Sequence, residues 1–226
     1  MNSLLISGIS GKVGKVLTQI SKSYNFNVVC GIDKKQFSNV DCPIYTTFNE
    51  VKENVDIIID FSSDSLAEEA IKFANERNCA LLCGTTALKN STLEKLKKLS
   101  KHSPVCYSSN FSKSINLLVE YLTNLKNNLP EFNCVIIEEH SKTKVDAPSG
   151  TAKLIAQKTG ITDILSVRGG NNAGVHKIIF MGEDEEIEII HRSYNRALFA
   201  KGALICANKL LNKKQGFYTA NQLLNE

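Results

Sequence analysis

A histidine, a lysine and a helix start follow one another closely in Glu138-Glu139-His140-Ser141-Lys142-Thr143-Lys144-Val145-Asp146-Ala147-Pro148-Ser149-Gly150-Thr151-Ala152-Lys153. Histidine exchanges a proton near neutral pH, so His140 at the end of an apolar run is placed to give or take one. Pro148 biases Ala147 toward an extended backbone, Ser149 is suited to cap a helix, and Gly150 lets a ligand come close to the main chain. The unpaired amides and positive dipole end of such a helix bind a carboxylate or phosphate, and Lys144 adds a full positive charge beside them. The chemistry this spells is proton transfer to a substrate held by its anionic group. The same residue types also make ordinary caps and solvated loops, so the run gains weight from a second motif.

That motif is Gly8-Ile9-Ser10-Gly11-Lys12-Val13-Gly14, which follows the apolar run Ser3-Leu4-Leu5-Ile6-Ser7. Glycines after a strand allow a tight turn, backbone contact with a pyrophosphate, and close packing of the next helix on the sheet. The spacing is G-x-x-G-x-x-G, a variant of the usual dinucleotide fingerprint. Asn27-Val28-Val29-Cys30-Gly31-Ile32 reads as a second strand and ends on Asp33, about 20 residues past the last glycine, where an acid binds the ribose hydroxyls. Lys34 and Lys35 follow it and would attract a 2′-phosphate instead. A glycine-rich turn with a solvated Asp is the plainer alternative. A P-loop is excluded, because Gly14-Lys15 is followed by Val16. None of the six tyrosines has a lysine four residues later, so the Tyr-x-x-x-Lys pair of short-chain dehydrogenases is missing.

Strand-like runs at 3–7, 27–32, 55–61, 80–83 and 104–107 alternate with helix-like stretches at 12–22, 65–77 and 91–101. This βαβ alternation predicts an α/β, Rossmann-like, doubly wound parallel sheet. Ligands in such sheets bind outside the carboxyl ends of the strands. The small polar loops Asp60-Phe61-Ser62-Ser63, Gly84-Thr85-Thr86 and Ser108-Ser109-Asn110-Phe111-Ser112 fall there. Beyond residue 112 the texture changes to a helix at 115–126, the strand 134–140, a helix from Ala152 to Lys158, and strands near 164–168, 175–181 and 185–193. Long strands with few helices between them predict a mixed or antiparallel sheet, hence a second α+β domain. Ala197 to Leu211 reads as a helix that returns to the first. The expected division is a dinucleotide-binding domain of 1–111 plus 197–226 and a substrate-binding and oligomerisation domain of 112–196, hinged near Phe111 to Ser114 and near Arg196.

Hydrophobic residues make up 42% and charged residues 22% of the 226, the balance of a globular chain with a core. The net charge of +4 is spread along the sequence, which gives no footprint for nucleic acid but suits dicarboxylate and nucleotide ligands. Seven cysteines, an odd number without a C-x-x-C pair, read as reduced core thiols in a cytoplasmic protein, and no metal site is expected. No apolar run approaches about 18 residues and the N-terminus enters a strand at once, so neither a membrane span nor a signal peptide is expected.

Glu139-His140 with Lys144-Val145-Asp146-Ala147-Pro148-Ser149-Gly150-Thr151-Ala152 closely resembles the signature of the 4-hydroxy-tetrahydrodipicolinate reductases, also called dihydrodipicolinate reductases. Gly8-x-x-Gly11-x-x-Gly14, Asp56-Ile57-Ile58-Ile59-Asp60-Phe61-Ser62, Gly84-Thr85-Thr86, Ser109-Asn110-Phe111-Ser112, Arg168-Gly169-Gly170 and Gly216-Phe217-Tyr218 fall in that family's order over nearly the whole chain. The resemblance implies reduction of 4-hydroxy-tetrahydrodipicolinate with NADH or NADPH in lysine and diaminopimelate biosynthesis, by a homotetramer built through the second sheet. It implies that His140 and Lys144 are the general acid/base and proton donor, and that Ser149, Gly150 and Thr151 hold a substrate carboxylate. It further implies that the glycine turn from Gly8 to Gly14 (with Ile9, Ser10, Lys12 and Val13), Asp33, Lys34, Gly84, Thr85, Thr86, Ser108, Ser109, Asn110 and Phe111 form the cofactor site. The chain departs from the pattern at Ser141, where a second histidine is usual and where a hydroxyl can bond substrate without carrying charge. It departs again at Ser112-Lys113-Ser114 and at Val175 before His176. The competing readings are a nucleotide-sensing regulatory protein on the same scaffold, disfavoured by the presence of both His140 and Lys144, and a reductase of another small cyclic imine.

Overall fold

The computed structural model describes residues 1–35, 40–86 and 88–225. The chain divides into two compact units, Met1–Phe111 with Ala197–Glu226, and Ser112–Arg196. Elements are numbered along the whole chain.

The first unit holds β1 (Asn2–Ser7), β2 (Phe26–Ile32), β3 (Ile44–Tyr45), β4 (Ile57–Asp60), β5 (Ala80–Cys83), β6 (Pro104–Tyr107) and β11 (Gly216–Tyr218). They form one sheet in the order β11-β6-β5-β4-β1-β2-β3, parallel throughout. The runs are continuously apolar because both faces are covered. Leu4, Ile6, Ile57, Ile59 and Leu82 pack with Leu17 of α1 (Lys12–Ile20), with Ala200, Ala203 and Ala207 of α6 (Ala197–Leu210), and with Leu223 of α7 (Ala220–Asn225). Their alternating neighbours Leu5, Ile58, Leu81 and Val105 pack with Leu66 and Ala70 of α2 (Asp64–Arg77) and Leu96 of α3 (Asn90–Leu99). Strand order reverses between β1 and β4, so the loops after these two strands flank the switch-point crevice where α/β sheets bind ligands.

α6 approaches closely through its small residues. A Cβ on Gly202 would collide with the carbonyl oxygen of Phe111. Gly202→Ala is therefore expected to destabilise the fold by about 1–3 kcal/mol, the cost of overpacking a filled core. The midpoint of urea unfolding measures it, and an unchanged midpoint would show that α6 can move away.

The second unit is a mixed four-stranded sheet in the order β10-β9-β7-β8, made of β7 (Asn133–His140), β8 (Asp163–Arg168), β9 (Val175–Met181) and β10 (Glu186–Arg192). β7 and β8 run parallel, and the other two pairs antiparallel. α4 (Lys113–Asn128) and α5 (Gly150–Thr159) cover one face, where Ile115, Leu122, Ala152 and Ile155 meet Ile136, Ile178 and Phe180. On the opposite face of edge strand β8, Leu165 and Val167 are 57% and 49% exposed.

Register decides what happens at the end of β7. Glu138 is level with His176 and Ser166, His140 with Arg168, and His176 with His191. Residues level with one another share a face. Four strands therefore deliver their polar residues to the end of the face whose other end is the apolar core. Among the described residues no helix is long and apolar enough to cross a membrane.

Three details differ from expectation. The helix expected over 12–22 ends at Ile20 and tightens into a 3₁₀ turn at Ser21–Tyr24, stopped by Asn25 at φ +63°. β3 and β11, of two and three residues, are too short to show a period.

Candidate active site

The glycine turn is shaped by backbone meeting backbone. Gly8 has φ +78°, and a Cβ there would strike the Phe61 carbonyl that follows β4. A Cβ on Gly14 would strike the Gly8 carbonyl, and Gly84 lies against the Phe61 ring. α1 starts at Gly11 without a side-chain cap and without an acid in its first turn. Its amide end is thus left to an outside anion, which fits the pyrophosphate of a nicotinamide nucleotide. Asp33 is held over the turn, its Oδ2 accepting from the Ser10 amide at 3.0 Å and the Ser10 hydroxyl at 2.6 Å, its Oδ1 from the Lys35 amide at 3.3 Å. Lys12, Lys34, Thr86 and Ser109 are exposed. Ser108 folds its loop over by donating from its hydroxyl to the Asn110 carbonyl at 2.8 Å.

Four of the expected cofactor residues turn their side chains inward. Ile9, Thr85, Asn110 and Phe111 are buried. The Phe111 ring packs edge-on against Phe61 with centroids 5.7 Å apart. Thr85 donates to the buried Asp60 carboxylate at 2.6 Å and accepts from the Ser62 amide at 2.8 Å, which ties the loops after β4 and β5 together. Asp60 also accepts from the Ser62 hydroxyl, and burial pushes its carboxyl above the usual range. Any contact these four make with a nucleotide comes from the main chain.

In the second unit His140 stands at the end of β7 with Nδ1 2.5 Å from Glu138 Oε2. Glu138 is fully buried, and all its acceptor positions are used. Arg168 donates to both oxygens, at 2.9 Å and 2.7 Å, and the Ser149 amide donates to Oε1 at 3.1 Å. Burial alone would raise this carboxyl, but the bonds from Arg168, Ser166 and His140 outweigh it and hold it at about 2, so Glu138 is an anion at neutral pH. Burial also presses the His140 imidazole below its ordinary value, against the upward pull of Glu138. Its Nε2 faces Gly174, which has φ +140°; a Cβ there would sit 2.7 Å from Nε2. Glycine at this place leaves Nε2 free of a side chain that would cover it.

His176 packs edge-on against His140 with centroids 5.3 Å apart and places its Nε2 3.0 Å from the Ser149 hydroxyl. Burial first, then His140 and His191, push it down to about 3, so it is neutral. His191 Nε2 lies 3.1 Å from the Ser114 hydroxyl.

The loop after β7 begins with a turn closed by the Lys144 amide on the Ser141 carbonyl at 3.0 Å, with the Ser141 and Thr143 hydroxyls 3.0 Å apart. Lys144 donates from Nζ to Asp146 at 2.7 Å, and Arg168 donates to the Asp146 carbonyl at 2.6 Å. Ser149 caps α5 as expected, accepting from the Ala152 amide at 3.1 Å. Its side chain is buried and shared between Ala152 and His176, and its amide serves Glu138. The approach to the start of α5 is at Gly150, where an added Cβ would meet nothing within 4 Å, and Thr151 stands next to it half-buried. Among the described residues no group of three or more His, Cys, Asp or Glu could hold a metal ion.

Glu138, Arg168, His176 and His191 were not among the site residues expected from the sequence. A signal for Glu138 was available, since a residue two before His140 on a strand shares its face.

A glycine turn with an open helix start in one unit, and an imidazole set by a buried carboxylate in the other, fit a two-unit nicotinamide-nucleotide oxidoreductase. Comparison with known proteins narrows this. The model of the dihydrodipicolinate reductase N-terminus matches residues 2–111, and that of the C-terminus matches residues 114–224. The 4-hydroxy-tetrahydrodipicolinate reductase of Caldanaerobacter subterraneus subsp. tengcongensis is 35% identical over 250 aligned residues, covering 100% of this chain and 99% of that protein. The reductase of the same name from Thermosipho africanus is 36% identical, covering 98% and 97%. In fold the chain is similar to the dipicolinate-bound dihydrodipicolinate reductase of Paenisporosarcina sp. TG-14, with a TM-score of 0.83 at 22% identity over 98% of this chain and 99% of that one. The chain belongs to the dihydrodipicolinate reductase family.

Proposed function

We propose that this chain reduces 4-hydroxy-tetrahydrodipicolinate to tetrahydrodipicolinate with NADH or NADPH, in lysine and diaminopimelate biosynthesis. The observation that carries the reading is the His140 site, with a carboxylate-set imidazole, a lysine and an open helix start on one loop of a chain belonging to this family. When bound, the cofactor supplies the hydride. The amides of Gly150 and Thr151 receive a substrate carboxylate at the positive end of α5, with Lys144 adding charge and Ser141 a hydroxyl. The 4-hydroxyl leaves as water to give a conjugated imine, the hydride adds at C4, and the negative charge that develops on the ring takes up one proton, with His140 through Nε2 and Lys144 through Nζ as the acid/base and donor pair. The Gly8 to Gly14 turn, Asp33, Lys34, Gly84, Thr86, Ser108 and Ser109 hold the cofactor. A coupled assay with the upstream synthase, pyruvate and aspartate semialdehyde, read as loss of nicotinamide absorbance, should show turnover. No loss above the enzyme-free rate would reject the reading.

Cofactor choice follows from Asp33 against Lys34 and Lys35. The carboxylate accepts from ribose hydroxyls and repels a 2′-phosphate, and Ser10 fixes it in place. Lysine lacks the guanidinium fork and grips phosphate less firmly. We expect activity with both cofactors and NADH at least comparable. Asp33→Ala should weaken NADH, and alanine at Lys34 and Lys35 should weaken NADPH, each read as KM. A wild-type preference for NADPH above about 10²-fold, or ~2.7 kcal/mol, would contradict the weight given to Asp33.

The seven free cysteines support a reducing, cytoplasmic setting. The exposed Leu165 and Val167 support a homotetramer that closes over the second sheet. Light scattering should give the mass of four chains, reduced when both residues are changed to Glu.

A further inference from the structure

Glu138 and Arg168 have no part in the proton transfer as described, yet they surround the residue that performs it. We propose that Glu138, locked by Arg168, is a positioning residue that keeps a proton on Nδ1 of His140 and so leaves Nε2 as the nitrogen that exchanges with substrate. This rests on the reading of His140 as the acid/base.

An imidazole with one proton can carry it on either nitrogen, and the partner of the inner nitrogen decides. Here the inner partner is a carboxylate with only lone pairs to offer, since every other group bonded to it donates: Arg168 to both oxygens, the Ser149 amide and the Ser166 hydroxyl. It cannot turn to present a proton, because the guanidinium grips both oxygens. His140 must therefore donate from Nδ1, and its Nε2 is bare or protonated according to pH. Gly174 leaves that side uncovered. Arg168 also limits the effect on charge, because a lone carboxylate would favour the imidazolium strongly and a carboxylate shared with a guanidinium does so less. The charged and titratable groups facing His140 are Glu138 on its own strand, Arg168 on β8, His176 on β9, and Lys144 and Asp146 on the following loop. The fork has a second reach, to the Asp146 carbonyl, and so braces the loop that carries Lys144.

Glutamine at position 138 has the same shape, but one of its two heads is a donor. It must either face that head to Arg168 and Ser149, which also donate, or offer it to His140, which then carries its proton on Nε2 and presents no lone pair there. Arg168→Gln does the opposite by taking the guanidinium charge away from the carboxylate. The test reads pH–rate profiles and the ¹⁵N signals of His140 in the full chain. In the wild type, above the imidazole pKa, the proton should be found on Nδ1. Glu138→Gln should lower kcat by roughly 10–10²-fold with little change in KM for NADH. It should also move the descending limb to lower pH and shift the proton to Nε2. Arg168→Gln should move that limb to higher pH. A pair of merely structural residues would give no such opposite displacements. A wild-type His140 with its proton on Nε2, or unmoved limbs in both variants while His140→Gln remains inactive, would overturn the inference and leave the role of His140 standing. Turnover retained in His140→Gln would instead remove the reading on which it rests. If neither variant folds, the wild-type ¹⁵N measurement decides alone.

Discussion

His140→Gln and Lys144→Ala should each lower kcat by roughly 10²-fold or more, while the chain stays folded, because each removes a positioned proton donor from the developing charge. The structure gives reason to expect that folding survives. Glu138 keeps both Arg168 bonds and the Ser149 amide when the imidazole is gone, so no buried carboxylate is left without partners. Lys144 is bonded to an exposed aspartate on a loop, so its removal opens no core cavity. The two variants should differ in KM. On the proposed reading Lys144 holds the substrate anion before reaction and meets the charge during it, so its loss should raise KM for substrate too, whereas His140→Gln should act mainly on kcat. Steady-state kinetics with circular dichroism on the same preparations measures both. Near wild-type turnover in both variants would remove the catalytic assignment.

Much of this molecule was legible because its elements obey strong periodicities. The runs at 80–83 and 104–107 became strands with those bounds because apolar residues on a doubly covered sheet leave little choice, and the run at 175–181 did so because its alternate residues are buried on the one covered face of the second sheet. The glycine turn was legible for a similar reason: only glycine lets the Phe61 carbonyl come so near Gly8. What could not be read was pairing across the sheet. Glu138 and Arg168 are separated by 30 positions, and nothing local says that β8 lies beside β7 in the register that sets Arg168 level with His140, on the face Glu138 shares. Without that register Arg168 is one more polar residue before a glycine pair. Ser149 was legible only in part. Its type and position announced a cap correctly, but how many of its atoms the fold would use depended on His176, which arrives from another strand.

Gly14→Ala should lower NADH affinity by roughly 10²-fold or more and destabilise the first unit by about 1–3 kcal/mol through a backbone collision. The added methyl would press on the Gly8 carbonyl, and it would also meet the Ile9 carbonyl oxygen at 2.7 Å. Neither obstacle is a flexible side chain that could swing away. The start of α1 would have to lift off the turn, carrying its amides away from the place proposed for the cofactor's pyrophosphate. Gly11→Ala is the graded comparison, since its nearest neighbour would be the same Gly8 carbonyl at 3.0 Å, a contact that a shift of a few tenths of an ångström relieves. Gly150→Ala is the control in the other unit, where a Cβ meets nothing within 4 Å. It should leave stability and NADH binding unchanged, and raise KM for the dicarboxylate substrate where the methyl crowds the helix start. Urea unfolding and quenching of cofactor fluorescence rank the three. An order in which Gly14→Ala binds NADH as well as Gly150→Ala does would place the nucleotide away from this turn.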